Sequence, residues 1–92
     1  MTRDIRYSTV KILIETGHIK SFREIFKHIP RSVVYEDMGI NYRRFSKLLA
    51  NPHKFTLEEL VTMSRFLEMD AQAVIGLAYI QYITDRKIKR KK

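Results

Sequence analysis

The chain contains no cysteine, which excludes disulfides and thiolate metal sites and leaves the compartment open. It has only 3 glycines and 2 prolines, so few positions interrupt regular structure. Strict alternation of polar and apolar residues is nearly absent, which argues against half-buried strands, while apolar residues recur at i, i+3, i+4 and i+7. No apolar run approaches the roughly 18 residues of a membrane-spanning helix, and no signal-peptide pattern is visible. A soluble, cytoplasmic protein with no membrane partner is the expectation. Acidic residues are also scarce: 10 Asp and Glu stand against 18 Lys and Arg, a net charge of +8 with a pI near 10. A polyanion is the natural partner for such a chain. No internal repeat is present.

What remains is a 92-residue chain that is 45% hydrophobic, enough for one domain around a modest core. The fold class predicted is all-α, a compact bundle of about five to six short helices. Residues 1–85 read as a single helical domain, with its core unit over 21–78 and a helical extension over 1–20, followed by a basic tail at 86–92.

Spacing places a first helix over Asp4 to Glu15, with Ile5, Val10, Leu13 and Ile14 on one face and Gly17 closing it; Ile12 to Ile14 alone would also suit a short strand. Ser21-Phe-Arg-Glu24 is a capping box, so a helix starts at Ser21 and buries Phe22, Ile25, Phe26 and Ile29 before Pro30 interrupts it. A second short helix covers Arg31 to Met38. Another capping box, Thr56-Leu-Glu-Glu59, opens a helix with Leu57, Leu60, Val61, Ser64 and Leu67 in its stripe. Asp70 caps the last helix, Ala71 to about Thr84, which buries Val74, Ile75 and Leu77. Beyond it, Asp85 to Lys92 holds six Lys/Arg against one Asp, a net of +5.

The most informative stretch is MGINYRRFSKLL, Met38 to Leu49. Gly39 can adopt positive φ without a Cβ penalty, Ile40 supplies an apolar side chain to the corner, and Asn41 is a strong N-cap. Two helices therefore meet with almost no loop. After Asn41, Phe45, Leu48 and Leu49 share the inner side, leaving Tyr42, Arg43, Ser46 and Lys47 outward, and Pro52 ends the helix. A short Gly-containing corner followed by a helix with polar and basic residues in its first turns is the arrangement that brings side chains to base edges in a DNA major groove. Arg can pair bidentately with O6 and N7 of guanine, and Asn or Tyr can hydrogen-bond to phosphates or bases.

Residues 31–69 resemble the lambda-repressor-like (Xre/Cro-type) helix-turn-helix family over about two-fifths of the chain. The resemblance rests on Val34, Met38, Gly39, Ile40, Phe45, Ser46 and Leu48, then on Pro52, Thr56, Leu57, Leu60, Ser64 and Leu67. It implies a five-helix bundle that binds double-stranded DNA, commonly as a dimer. By the resemblance, Tyr42, Arg43 and Lys47 occupy base-reading positions and Arg31 a phosphate contact at the start of the preceding helix. Asn41, Arg44 and Ser46 complete the candidate DNA-binding set. Two residues depart from the family pattern: Tyr35 stands where a small residue is usual, four positions before the glycine, and Leu49 follows Leu48 where a Glu is usual. A ring at position 35 is expected to lie in the crossing between the two helices.

Each signal has a plainer reading. Gly39 suits any tight corner, scattered charge is ordinarily a solvated helix face, and a basic tail can simply solubilise. The cluster of three positive charges without an acid from Asn41 to Lys47, directly after the corner, favours DNA contact. His18, His28 and His53 lie ten and twenty-five apart, unlike any zinc signature, so no metal and no cofactor is expected. Glu58 and Glu59 suit a helix start rather than a catalytic pair. Neither a Gly-rich phosphate loop nor a nucleophile triad is present, so neither enzyme activity nor a small-molecule substrate is expected. The alternative function is a protein-interaction module on the same scaffold. The apolar Ala78 to Ile83 segment would dock a partner or form a homodimer seam in the C-terminal helix. RNA binding has less support, because no aromatic platform on a sheet or loop can be read.

Overall fold

Local signals set most of the helix ends. In the computed structural model, which describes residues 4–90, the chain forms five α-helices: α1 (Arg6–Glu15), α2 (Arg31–Met38), α3 (Tyr42–Ala50), α4 (Leu57–Leu67) and α5 (Ala71–Arg90). Two 3-10 helices, Phe22–Lys27 and Pro52–Lys54, fill the connections. No strand occurs among the described residues, so the Ile12 to Ile14 run is helical. The result is a small all-α bundle with a radius of gyration of 12.8 Å, near the roughly 13 Å of a compact 100-residue domain.

Caps form where the sequence places them. Thr56 and Glu59 make a reciprocal box, the Thr56 hydroxyl accepting from the Glu59 N–H at 3.0 Å and the Glu59 carboxylate from the Thr56 N–H at 2.9 Å. Asp70 accepts from the Gln72 N–H at 2.8 Å at the start of α5. The Ser21–Glu24 box forms as well, and the Glu24 carboxylate also takes the Lys20 N–H at 2.8 Å. The helix it opens differs from expectation, being 3-10 rather than α. Only six residues separate this cap from the turn before Pro30, and the Glu24 and His28 N–H groups bond three residues back. In a 3-10 helix residues i and i+3 lie directly above one another. Phe22 and Ile25 are therefore both buried, whereas Phe26 falls in line with Arg23 on the flank and is only half-buried.

The core joins all these elements through Val10, Phe22, Ile25, Ile29, Val34, Phe45, Leu48, Leu49, Phe55, Leu60, Met63, Leu67, Val74 and Leu77. Two apolar residues assigned to buried faces are solvent-exposed instead. Ile5 is 80% exposed and Leu57 67% exposed. Ile5 is the N-cap residue just before α1 and Leu57 the first residue of α4, so neither has reached the part of its helix that meets the core. Tyr7 takes the inner place in α1, spaced with Val10 and Ile14 at i, i+3 and i+7. Leu13, Ile14, Val61 and Ile75 are half-buried, while Met63 and Gln81 are buried.

A further difference lies at the C-terminus. Helix α5 does not stop near Thr84 but continues to Arg90, taking in most of the segment expected to be a separate tail. Arg and Lys are good helix formers, no Gly or Pro intervenes, and cations near a helix C-terminus are favoured by the helix dipole. Residues 1–3 of the expected extension and 91–92 of the expected tail lie outside the described residues.

Candidate nucleic-acid interface

The corner between α2 and α3 is built as its sequence implies. Gly39 ends α2 in the left-handed conformation, φ 73° and ψ 25°, and the Ile40 N–H reaches back to the Tyr35 carbonyl at 2.9 Å. Asn41 then caps α3, its side-chain oxygen accepting from the Arg44 N–H at 2.8 Å. Phe45, Leu48 and Leu49 turn inward and are buried. The opposite face is therefore committed to solvent by helical geometry.

Tyr35 lies in the crossing. Its ring centroid is 6.0 Å from that of Tyr42 and 5.7 Å from that of Phe45, both on α3. The side chain is half-buried rather than fully enclosed. The ring thus spans the contact between α2 and α3 where a smaller side chain would leave a gap.

The seven candidate residues fall into three groups. Tyr42, Arg43 and Lys47 come together on the outer face of α3, with Tyr42 63% exposed. Arg43 and Lys47 have no ion pair or side-chain hydrogen bond among the described residues. Arg31 and Ser46 face a shallow groove of about 210 Å³ completed by Arg23, Phe26, Leu49 and Ala50. Asn41 and Arg44 are occupied within the fold. The Arg44 guanidinium forms a two-pronged ion pair with Glu59 of α4, whose carboxylate also completes the Thr56 cap. Partial burial pushes the Glu59 carboxyl up, but the Arg44 hydrogen bond and the Thr56 N–H outweigh it and hold the group below its usual 4.5. Arg44 therefore ties the start of α3 to the start of α4.

Residues the sequence did not single out complete the setting. Arg23 donates from Nε to the Leu49 carbonyl at 2.9 Å and from Nη2 to the Ala50 carbonyl at 3.0 Å. The same guanidinium pairs with both oxygens of Asp85 on α5 at 2.9 and 2.7 Å. It thereby satisfies carbonyls at the C-terminus of α3 that the helix leaves without partners. Gln81, buried beside it, accepts from the Arg23 N–H at 3.2 Å and donates to Asp85 at 3.1 Å. Sequence offers little warning of such a link, because its partners lie 26 to 62 residues away. A second cluster joins His53, Tyr82 and Arg86, with the His53 and Tyr82 rings 4.7 Å apart. Among the described residues no group of three or more His, Asp or Glu side chains could hold a metal ion.

Helix α3 thus offers one aromatic hydroxyl, one guanidinium and one ammonium on a rigid face, with Glu59 of α4 turned to structural work. That set can donate hydrogen bonds to anionic or carbonyl acceptors. It carries no nucleophile paired with a base. Comparison with family models, curated proteins and solved structures gave no match.

Proposed function

We propose that this protein binds double-stranded DNA sequence-specifically, as a cytoplasmic helix-turn-helix transcriptional regulator of repressor or antitoxin-like type. The observation that carries the proposal is the exposure of Tyr42, Arg43 and Lys47, unpaired by acids, on a helix whose other face is locked into the core. An α-helix such as α3 is about 10–12 Å across with its side chains, which suits a major groove about 12 Å wide. Arg43 reads guanine, Tyr42 and Lys47 contact neighbouring bases or phosphates, and Arg31 at the start of α2 holds the backbone. The protein acts by binding, with no cofactor and no reaction of its own.

Selection from a random duplex library at near-physiological salt tests this directly. A consensus should emerge, and Arg43→Ala should relax it at one base pair at a cost of roughly 1–3 kcal/mol, while Arg31→Ala weakens all sequences alike. Absence of a consensus together with equal losses for both substitutions would defeat the assignment.

A second reading, an interaction module or homodimer seam on α5, draws on Tyr79 and Ile80, which are 63% and 47% exposed. They lie on one stripe with half-buried Ile83. In the family it resembles, dimers read half-sites roughly 34 Å apart, so a palindromic consensus and a sedimenting dimer would unite the two readings. A dimer or partner complex without any DNA consensus would favour the module alone.

A further inference from the structure

The C-terminal half of α5 is more than a charged end, because aromatic packing fixes it in place. It packs against the 3-10 helix Pro52–Lys54, which follows directly on α3. Tyr82 is the joint. His53 lies against its ring, Arg86 donates from Nη1 to its hydroxyl at 2.8 Å, and the Arg86 guanidinium carbon sits 5.3 Å from the ring centroid. One residue before Arg86, Asp85 is held by Arg23, whose other donors cap the end of α3. Arg86 is thereby brought beside the segment that follows α3, which carries the exposed Lys54, and the exposed Lys87 is its neighbour along α5.

Their charge is available. Lys54 and Lys87 make no ion pair among the described residues, and Arg86 commits one guanidinium donor of five to Tyr82. The adjacent carboxylate, Asp85, is already matched by Arg23. A guanidinium braced on a ring loses less freedom on binding than a free side chain, so more of its attraction survives as affinity. Arg and Lys donors at fixed positions suit phosphate oxygens, which carry no sequence information.

We propose that Arg86, braced by Tyr82, forms with Lys54 and Lys87 a second DNA-contacting surface that grips the phosphodiester backbone beside the α3 site irrespective of base sequence. It rests on the DNA-binding proposal only in taking duplex DNA as the polyanion; base reading by α3 is not required.

The test is fluorescence anisotropy with a labelled mixed-sequence duplex about two helical turns long, titrated across roughly 50–200 mM salt. Four proteins are compared: wild type, Lys54→Gln/Arg86→Gln/Lys87→Gln, Tyr82→Leu, and Arg43→Gln/Lys47→Gln, each first shown to be folded by circular dichroism. Loss of three phosphate contacts should flatten the log–log salt slope of the triple variant by about 2.7, from about 0.9 per contact. Tyr82→Leu, which keeps every cation, should weaken binding several-fold. A triple variant with the wild-type slope overturns the proposal, as does a triple variant that instead loses binding to phosphatidylglycerol vesicles while its duplex slope is unchanged. If the triple variant flattens the slope and the α3 variant leaves affinity and consensus intact, base reading by α3 fails and this surface stands. The reverse pattern removes this surface alone.

Discussion

Replacing Arg23 by Met removes a single guanidinium that holds together the first 3-10 helix, the end of α3 and α5. Four hydrogen bonds disappear, two to the carbonyls of Leu49 and Ala50 and two to Asp85. Bonds from a charged donor contribute about 1.5–3 kcal/mol each when well buried. The Arg23 side chain is 41% exposed and that of Asp85 24%, so the ion pair itself is discounted to about 0–1 kcal/mol. The two carbonyls at the end of α3 carry most of the loss, and the sum comes to about 2–4 kcal/mol. A chain of this size has a total stability of roughly 5–14 kcal/mol, so the variant still folds and the loss can be measured. Urea denaturation followed by circular dichroism should show the midpoint falling by about 1–3 M if m is about 1.5 kcal/mol/M, with m unchanged. Arg23→Lys keeps the charge but not the planar fork and should recover about half the loss. A double-mutant cycle with Asp85→Asn should give a coupling of no more than about 1 kcal/mol. An Arg23→Met protein within about 0.5 kcal/mol of wild type would refute the idea that this side chain fastens the three segments.

Tyr35→Ala should lower stability by about 1.5–2.5 kcal/mol, half the roughly 3–5 kcal/mol of a fully buried aromatic because the ring is half-buried; a thermal midpoint that holds or rises would place the ring outside the crossing. Acid should destabilise the protein through carboxylates held low in the folded state. The Lys20 N–H, then the Ser21 hydroxyl, hold Glu24 below its usual 4.5; Arg44 and Thr56 do so for Glu59; and Arg6 draws Asp4 down to about 2. Since each folded pKa lies below the unfolded one, the unfolded chain takes up protons first, so stability is full above about pH 5 and is lost as pH falls through the lowered values. Glu59→Gln should flatten that decline, and urea midpoints constant from about pH 6 to about pH 3 would contradict it.

The elements legible in the sequence were those with local causes. The Gly39 corner, the Asn41 cap and the Thr56 and Asp70 caps depend on residues within a few positions of one another, and each forms where the sequence places it. The outward set on α3 was legible for the same reason, because Phe45, Leu48 and Leu49 settle its inner face. Arg44 shows the limit. It shares the helix and the charge of Arg43, but Glu59, fifteen residues on, takes its guanidinium. Helix α1 carries apolar residues around much of its circumference, so its buried face depended on what α4 offers, and Phe66 takes the Tyr7 ring in place of Ile5. The i, i+3, i+7 spacing of Tyr7, Val10 and Ile14 was the available clue. Nothing local marks half-buried Arg23 or buried Gln81 as connectors, since both are polar residues satisfied from distant elements.

The seat of Tyr7 bears on how large the folding unit is. Its ring stacks on Phe66 of α4 at 5.5 Å and its hydroxyl donates to Asp37 of α2 at 2.8 Å, while Val10 one turn on is fully enclosed. Helix α1 therefore closes the core over the same two helices that, on their other sides, support the corner and α3. A chain trimmed to 21–78 would keep every residue proposed to face α3's groove and yet present an open apolar seam along α2 and α4. Burial of two such side chains is worth about 1.5–3 kcal/mol apiece, a large share of what so small a domain has to spare. The reading surface is consequently not a transplantable cassette: to graft it elsewhere, an engineer would have to carry the N-terminal helix along as its lid.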